Sequence, residues 1–443
     1  MACAISVVIP VYNSAKTLRQ CLEHLRGSTV ADYECIVVDD GSTDPSPQVA
    51  AEFGVTVLQT GKRSGPAFAR NLGASKAEGK ILFFIDADVC VYPDTLDRVL
   101  ASFTQDPGLT ALIGSYDDQP EAQDFLSLYR NLMHCYVHHQ AHRAASTFWS
   151  GCGAILRSVF HEYSGFDVSY DRPSIEDIEL GYRLSQDKKK MVLDPTIQVK
   201  HLKRWSFFSL VKTDILDRGI PWTELILNDR VLPNDLNVQL SQRVSIALVY
   251  ILIAITAVTA WYVGSSFILM LLVLLFLVLA QFEVESTWRT QPKLIVATTV
   301  LIASMIGMAF YNHTKWVIPP VLLAYLMLFL RHRYSLTKRG KQITGLVCGG
   351  YLLLVILFVV VYLPRQPMVF CFFLLLSIVV MLNSQFYVFL AGRTGRLLAL
   401  AAIPFHLLFH FYNGVSFIFG VGRHLFRRIF STASKRASVL SDR

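Results

Sequence analysis

The second half of the chain limits its folding most. From Val244 to Gly420 long apolar runs follow one another with only short polar joints between them. A stretch of about 20 mostly apolar residues crosses a bilayer as a helix, because a helix satisfies its own backbone polar groups where no water can. Spans are expected at 244–263, 267–282, 294–311, 316–330, 343–363, 368–391 and 397–420. The fourth is short and carries Pro319 and Pro320. The basic joints 331–341 and 391–396 belong on the cytosolic side. Crossing at all seven would put the basic tail after Gly420 on the opposite side, so the last, proline-containing segment is expected to be re-entrant or interfacial, leaving six or seven spans.

Before Leu240 charges are scattered throughout, and 443 residues exceed a single ordinary core. The net charge of +8 comes partly from residues between and after apolar runs, which fits membrane lipids as partners and no nucleic acid. The eight cysteines form no CxxC pair and no metal-type spacing, and two fall within expected spans. Reduced, mostly buried thiols are therefore expected, with the amino-terminal domain cytosolic and the chain integral to a cell or inner membrane. The start, MACAISVVIPVYN, has no basic lead and reads as a strand broken at Pro10.

Ala4–Ile9, Glu34–Val38, Val55–Leu58 and Ile81–Ile85 are apolar runs of strand length. Ser14 is placed to cap a helix carrying Leu18, Cys21, Leu22 and Leu25 on one face. Pro66–Ala77 and Pro93–Phe103 read as helices with proline near the first turn. Strand and helix in alternation predict an α/β Rossmann-like domain with a mostly parallel, doubly wound sheet, followed by an all-α polytopic transmembrane domain. Ligands bind such sheets at the carboxyl ends of strands, where Asp39, Asp40, Asp86 and Asp88 fall. Over 205–227, aromatic, aliphatic and basic residues mix below spanning length. This predicts interfacial helices with Trp205 and Trp222 at headgroup depth, or else a core helix of the soluble domain.

FFIDADV, Phe83 to Val89, ends an apolar run on two aspartates. In an extended chain Asp86 and Asp88 point the same way and repel. A divalent cation, Mg2+ or Mn2+, would neutralise them, and such ions readily take substrate phosphates as further ligands. His134, His138 and His142 repeat at helical spacing but lack a completing ligand, so packing or an acceptor-lining face outweighs zinc.

VVIPVYN, VVDDGSTD, GPAFARNLG, FIDAD and the later ED of SIEDIELGYRL, in this order, resemble the family 2 glycosyltransferases, inverting enzymes of the GT-A fold, over roughly residues 5–205. The resemblance implies a nucleotide-sugar donor and a divalent metal held by the DxD motif. Carried onto this chain, the resemblance implies that Asp39 accepts from the base, uracil through its N3–H, that Pro10 and Tyr12 line the base pocket, and that Arg70 helps hold the nucleotide. Asp86 lies by the ribose and metal, and Asp88 is a metal ligand. Asp177, with Glu176 as fallback, is the general base, since an acceptor hydroxyl must lose a proton; the alternative is that both acids merely open a helix. Gly151 and Cys152, in FWSGCGAILR, border the donor sugar. HLKRW departs from the QxxRW of processive synthases, which weakens the case for processivity. His201 is a candidate contact to metal or diphosphate, or a surface residue, and Arg204 a contact to the diphosphate.

The organisation expected is a glycosyltransferase domain over 1–202, interfacial helices over 203–240, a transmembrane domain over 241–422 and a basic tail over 423–443. The activity expected is inverting transfer from a nucleotide-diphospho-sugar, in particular a UDP-sugar, to a lipid-linked or glycan acceptor. The alternatives are transfer to a polyprenyl phosphate, and a glycan or lipid transporter with a nucleotide-sugar-sensing domain.

Overall fold

The computed structural model describes residues 3–230, 232, 236–263 and 367–441. They fall into two compact units, Met1–Gln242 with Tyr412–Arg443, and Arg243–Phe411.

The first unit opens with β1 (Ile5–Val11), α1 (Ala15–Arg26), β2 (Tyr33–Asp39), α2 (Ser46–Glu52), β3 (Thr56–Gln59), α3 (Pro66–Lys76), β4 (Ile81–Ile85), β5 (Val89–Val91) and α4 (Thr95–Gln105). It continues with β6 (Ala111–Tyr116), α5 (Phe125–Gln140), β7 (Cys152–Leu156), α6 (Arg157–Glu162), α7 (Glu176–Gln186) and β8 (Met191–His201). One sheet holds all eight strands in the order β3-β2-β1-β4-β7-β6-β8-β5. Alternate residues of β1 serve opposite faces, as a strand demands. Val7 and Ile9 pack with Leu18, Leu22 and Leu25 of α1, whereas Val8 packs with Ala67 and Ala74 of α3 and Leu180 of α7. Cover on both faces explains why β1, β2 and β4 read as unbroken apolar runs.

The sheet is mostly parallel, as expected, with β3-β2-β1-β4 one continuous parallel run, and antiparallel pairs enter only beyond β4. β7 lies antiparallel to β4 and β6, and β5 antiparallel to β8, while β6 and β8 are parallel. Proline 10 does not break β1, because its register partner is Val38 in a strand that continues to Asp39. Ser14 is at the start of α1 but does not cap it: its hydroxyl donates to the Tyr12 carbonyl, and Asp44 accepts from the Ala15 N–H at 2.9 Å.

Beyond β8, α8 (Phe207–Lys212) runs into a π-helix (Thr213–Gly219) and α9 (Ile220–Asp229). The two tryptophans expected at headgroup depth are buried within the protein instead. The Trp205 backbone N–H donates to Ser127 Oγ at 2.8 Å and its indole Nε1 to Asn131 Oδ1 at 3.4 Å, while Trp222 Nε1 donates to Tyr182 Oη at 3.0 Å. An indole N–H needs a partner once covered, and both find one inside. The exposed aromatics here are Phe207 and Phe208, the latter 83% exposed.

The chain resumes in α10 (Leu240–Val263), α11 (Pro367–Leu382), α12 (Ser384–Thr394) and α13 (Arg396–Ser441). Leu240–Thr259 and Arg396–Ile429 are long and apolar enough to cross a membrane. Leu374–Leu382 and Ser384–Thr394 form a broken pair bent by 64°, so the segment expected as a span at 368–391 turns at Asn383. In the second unit, Val249, Leu252, Phe372 and Val379 cluster, and Asn383 Nδ2 donates to Ser245 Oγ at 3.0 Å. The last segment, expected to be re-entrant or interfacial, is one continuous helix with Pro404 inside it. The spans expected at 267–282, 294–311, 316–330 and 343–363 lie outside the described residues. Among the described residues every cysteine is a free thiol.

α7 reaches its place only because residue 181 is glycine. A Cβ there would stand 2.1 Å from the Phe148 nitrogen and 2.5 Å from the Thr147 carbonyl carbon, both backbone atoms with no freedom to yield. Gly181→Ala should therefore cost about 2–3 kcal/mol, the upper range for overpacking, and lower the melting temperature. Gly392→Ala, in α12 with nothing within 4 Å of its Cβ, should leave it unchanged or raise it.

Candidate active site

Four segments meet at the carboxyl edge of the parallel strands. Buried Asp39, ending β2, accepts from the Ser42 N–H at 3.1 Å, which shapes the GST turn that follows. Asp40 does more than close a strand. Its Oδ1 accepts from the Ser64 N–H at 2.7 Å and Thr60 Oγ1 at 3.1 Å, and its Oδ2 from the Gly65 N–H at 2.9 Å. These bonds lock the loop that starts α3. Gly65 has φ of 92°, and a Cβ there would lie 2.5 Å from the Asp171 carbonyl oxygen, so no other residue fits. Pro10 lies in β1 two residues before Tyr12, whose exposed ring carries the Arg63 guanidinium 4.3 Å from its centroid. Arg63 had no motif to mark it.

Arg70 on α3 joins the aspartates of FFIDADV to the acidic pair of SIEDIELGYRL. Its Nη2 donates to Asp86 Oδ1 at 2.6 Å and its Nη1 to Glu176 Oε1 at 2.8 Å. The guanidinium expected to hold the nucleotide is thus engaged by two acids. Burial raises the Asp86 carboxyl above its ordinary value, with Arg70 opposing and Asp88 adding to the rise. Burial likewise raises Glu176, against Arg70 and with help from Asp177. Glu176 Oε2 also accepts from the Ser174 N–H at 3.0 Å. Asp177 is half-buried and makes no contact of this kind: its Oδ2 accepts from both the N–H and the hydroxyl of Ser150, each at 2.9 Å.

Asp88 sits in the turn between β4 and β5. The three residues of β5 pair Val89 with His201 at the end of β8, and the Leu202 N–H donates to the Asp88 carbonyl at 2.9 Å. This register brings His201 Nε2 to 3.6 Å from Asp88 Oδ2. His201 is buried, its ring stacked on Tyr116 at 4.2 Å, so it is no surface residue. Burial would raise the Asp88 carboxyl, but His201 and Lys203 outweigh it and hold it below the ordinary value. Burial depresses the Lys203 ammonium, with Asp88 and Asp86 opposing. Arg204, expected near the diphosphate, is 80% exposed and pairs with Asp124 at 3.1 Å. The basic residue beside the aspartates is its neighbour Lys203, which HLKRW contains but the motif does not single out.

Cys152 opens β7 opposite Ile85, one strand from Asp86, yet its side chain is in the core and burial pushes its thiol up to about 12. Gly151 lies against the Trp149 ring, which a Cβ would meet at 2.6 Å. This segment can border a ligand through backbone, not through the thiol. His134 and His138 pack in an aromatic group with Tyr116 and Trp149, His138 Nδ1 contacts the Gly114 carbonyl at 3.1 Å, and His142 lies past the end of α5. Burial pushes His138 down to about 4. Among the described residues no three of His, Cys, Asp and Glu gather into a ready metal cage.

Residues 6–164 match the family model described as Glycosyl transferase family 2. Two similar curated proteins are the glycosyltransferase GlyG of Streptococcus pneumoniae, 35% identical over 27% of this chain and 40% of its own length, and the pre-mycofactocin glycosyltransferase of Mycobacterium tuberculosis, 30% identical over 44% of this chain and 42% of its own. The chain thus spans less than half the length of these relatives. Among solved structures, the mannosyltransferase PcManGT of Pyrobaculum calidifontis, in complex with GDP-Man and Mn2+, is 16% identical, with a TM-score of 0.45 over 76% of this chain and 89% of that one.

Removing the Arg70 charge leaves Glu176 buried and Asp86 unpaired. Arg70→Met should cost about 3–5 kcal/mol, the range for breaking a buried ion pair from one side, in the thermal or denaturant unfolding of the purified chain. Arg70→Met combined with Glu176→Gln should recover much of that loss.

Proposed function

We propose that the chain, whose residues 6–164 match the Glycosyl transferase family 2 model, transfers a sugar, with inversion, from a nucleotide-diphospho-sugar to a membrane-associated acceptor. A UDP-sugar is the donor favoured, and glycolipid or envelope polysaccharide the product. The observation that carries this reading is the meeting of Asp86 and Glu176 on one guanidinium. It gathers the DxD and ED motifs into one site and leaves Asp88 and Asp177 available on its two sides.

Each group then has a task. The Tyr12 ring with Arg63 offers a flat, cationic surface for a nucleobase, and Asp39 and Pro10 bound the same edge. Asp86, Asp88 and His201 would hold Mg2+ or Mn2+; the donor set, two carboxylates and an imidazole, suits such an ion, which keeps open positions for diphosphate oxygens. When bound, the ion supplies Lewis-acid stabilisation to the leaving diphosphate. Lys203 takes the part expected of Arg204, a cation near the diphosphate. Gly151 leaves room for the donor sugar. Asp177, oriented by Ser150, accepts the proton of the acceptor hydroxyl as its oxygen bonds to the anomeric carbon and the electron pair of the broken bond leaves with the nucleoside diphosphate. Glu176, held by Arg70, is the poorer base.

Membrane attachment is supported by the apolar helices Leu240–Thr259 and Arg396–Ile429. It raises the effective concentration of a lipid-linked acceptor at the site. The exposed Phe207 and Phe208 are the side chains we assign to the lipid interface in the 203–240 segment, with the catalytic domain cytosolic.

Asp177→Asn keeps the size and the Ser150 contacts while removing the base. Transfer in native membranes, read as radiolabel passing into lipid-extractable and polymer fractions, should fall by about 10²–10⁴-fold with donor binding retained. Undiminished transfer would overturn the base assignment and favour a phosphate acceptor, which has no proton to lose. Failure to bind any nucleotide sugar, with lipid or glycan moved across liposomes, would favour a transporter.

A further inference from the structure

Histidine 201 has two ring nitrogens, and only one of them faces Asp88. The other, Nδ1, lies 2.7 Å from Oδ1 of Asn131, on α5. Which of these two atoms carries the hydrogen follows from the rest of the Asn131 amide. Its Oδ1 also receives Trp205 Nε1 at 3.4 Å, and an indole N–H can only donate. Its Nδ2 faces the Lys203 carbonyl at 3.3 Å, and a carbonyl can only accept. The amide therefore has one consistent orientation, with oxygen toward the imidazole, so His201 Nδ1 must carry the hydrogen. In the neutral ring the lone pair is then on Nε2, the atom directed at Asp88.

We infer that Asn131 is a positioning residue that fixes His201 as the Nδ1–H tautomer and so presents Nε2 to a divalent cation at Asp88. The site is built for this. Asn131 and His201 are both buried, and stacking on Tyr116 stops the ring from turning. The three bonds from one amide also fix the path of the chain from His201 to Trp205, which sets Lys203 beside the aspartates. An outer partner of this kind raises ligand basicity and fixes ring direction, and its loss typically costs about 10–100-fold in metal affinity. The inference rests on the proposed metal role of His201, and its test separates the two.

The full chain, labelled with 15N at histidine and titrated upward until the His201 ring is neutral, gives the tautomer directly from the ring nitrogen shifts, with the His201 signals identified by their loss in His201→Gln. The wild type should show a pyrrole-type Nδ1 and a pyridine-type Nε2, and Asn131→Leu should move the ring to the Nε2–H form that free histidine prefers. A wild-type His201 in the Nε2–H form overturns the inference whether or not any variant folds. Mn2+ titrated alone and followed by EPR should bind Asn131→Leu about 10–100-fold more weakly, as it does His201→Ala, with no added loss in the double variant and with binding kept in Asn131→Asp. Normal Mn2+ affinity in a folded Asn131→Leu, beside a weakened His201→Ala, overturns the inference while leaving the metal reading intact. Normal affinity in His201→Ala overturns the metal reading itself.

Discussion

One buried cation ties the site together. Arg70 has to satisfy Asp86 from the end of β4 and Glu176 from the start of α7, segments far apart in the chain. A guanidinium can do this because it is planar and offers several donors in fixed directions; a lysine ammonium could not bridge both as well. The geometry works only if α3 is placed accurately, and backbone constraints place it. Asp40 grips the loop before the helix, Gly65 lets that loop pass Asp171, and Gly73 lets α3 approach Val8 and Val38, where a Cβ would be 2.5 Å and 3.0 Å from their methyl groups. Sheet and helix thus meet without a gap, and the charges follow.

The second carboxylate is governed by a different kind of constraint. Asp88 is not held by a cation from an adjacent helix but by the register of two strands. β5 is too short to contribute much core, yet its pairing with β8 brings His201 opposite Val89 and Lys203 just beyond. The result is that the two aspartates of one motif have opposite environments: Asp86 is raised by burial, and Asp88 is lowered by His201 and Lys203 despite burial. Their repulsion is met by neighbours of unlike origin, one in helix α3 and one at the end of a strand.

Much of this was readable where a residue acts through its own local pattern. The apolar runs of β1, β2 and β4 show because both faces of those strands are covered, and the aspartates at their ends follow from the direction of the sheet. What escaped the sequence depends on partners distant along the chain. Asp44, and not Ser14, is the side chain that accepts an N–H at the start of α1, since the choice turns on how the loop after β2 folds back. β6, β7 and β8 carry shorter or mixed runs, and their antiparallel places follow from packing rather than periodicity. Trp205 and Trp222 have the composition of an interface, but their indoles find buried partners in Asn131 and Tyr182. Lys203 and Arg204 are adjacent and both basic, so only the strand register decides which one turns toward Asp88.

α5 carries a second load next to the first. Arg130, the residue before Asn131, donates to Asp214 Oδ1 at 2.6 Å in the π-helix, and Asp214 Oδ2 accepts from the Tyr412 hydroxyl at 2.7 Å. Glu224 of α9 receives Arg423 through two bonds, with Arg427 nearby at 3.4 Å. Close packing supports these charges: Gly219 and Gly420 sit against Ser416 and Thr223, where a Cβ would come within 2.4 Å and 2.6 Å of a neighbour. Buried ion pairs add little net stability compared with apolar packing, but breaking one from one side costs about 3–5 kcal/mol, so they specify position strongly. Consecutive residues of one helix therefore fix His201 on one side and, through Asp214, the carboxyl-terminal part of α13 on the other. A shift of α13 along its axis has to carry the π-helix with it, or leave Asp214 and Glu224 buried without their partners.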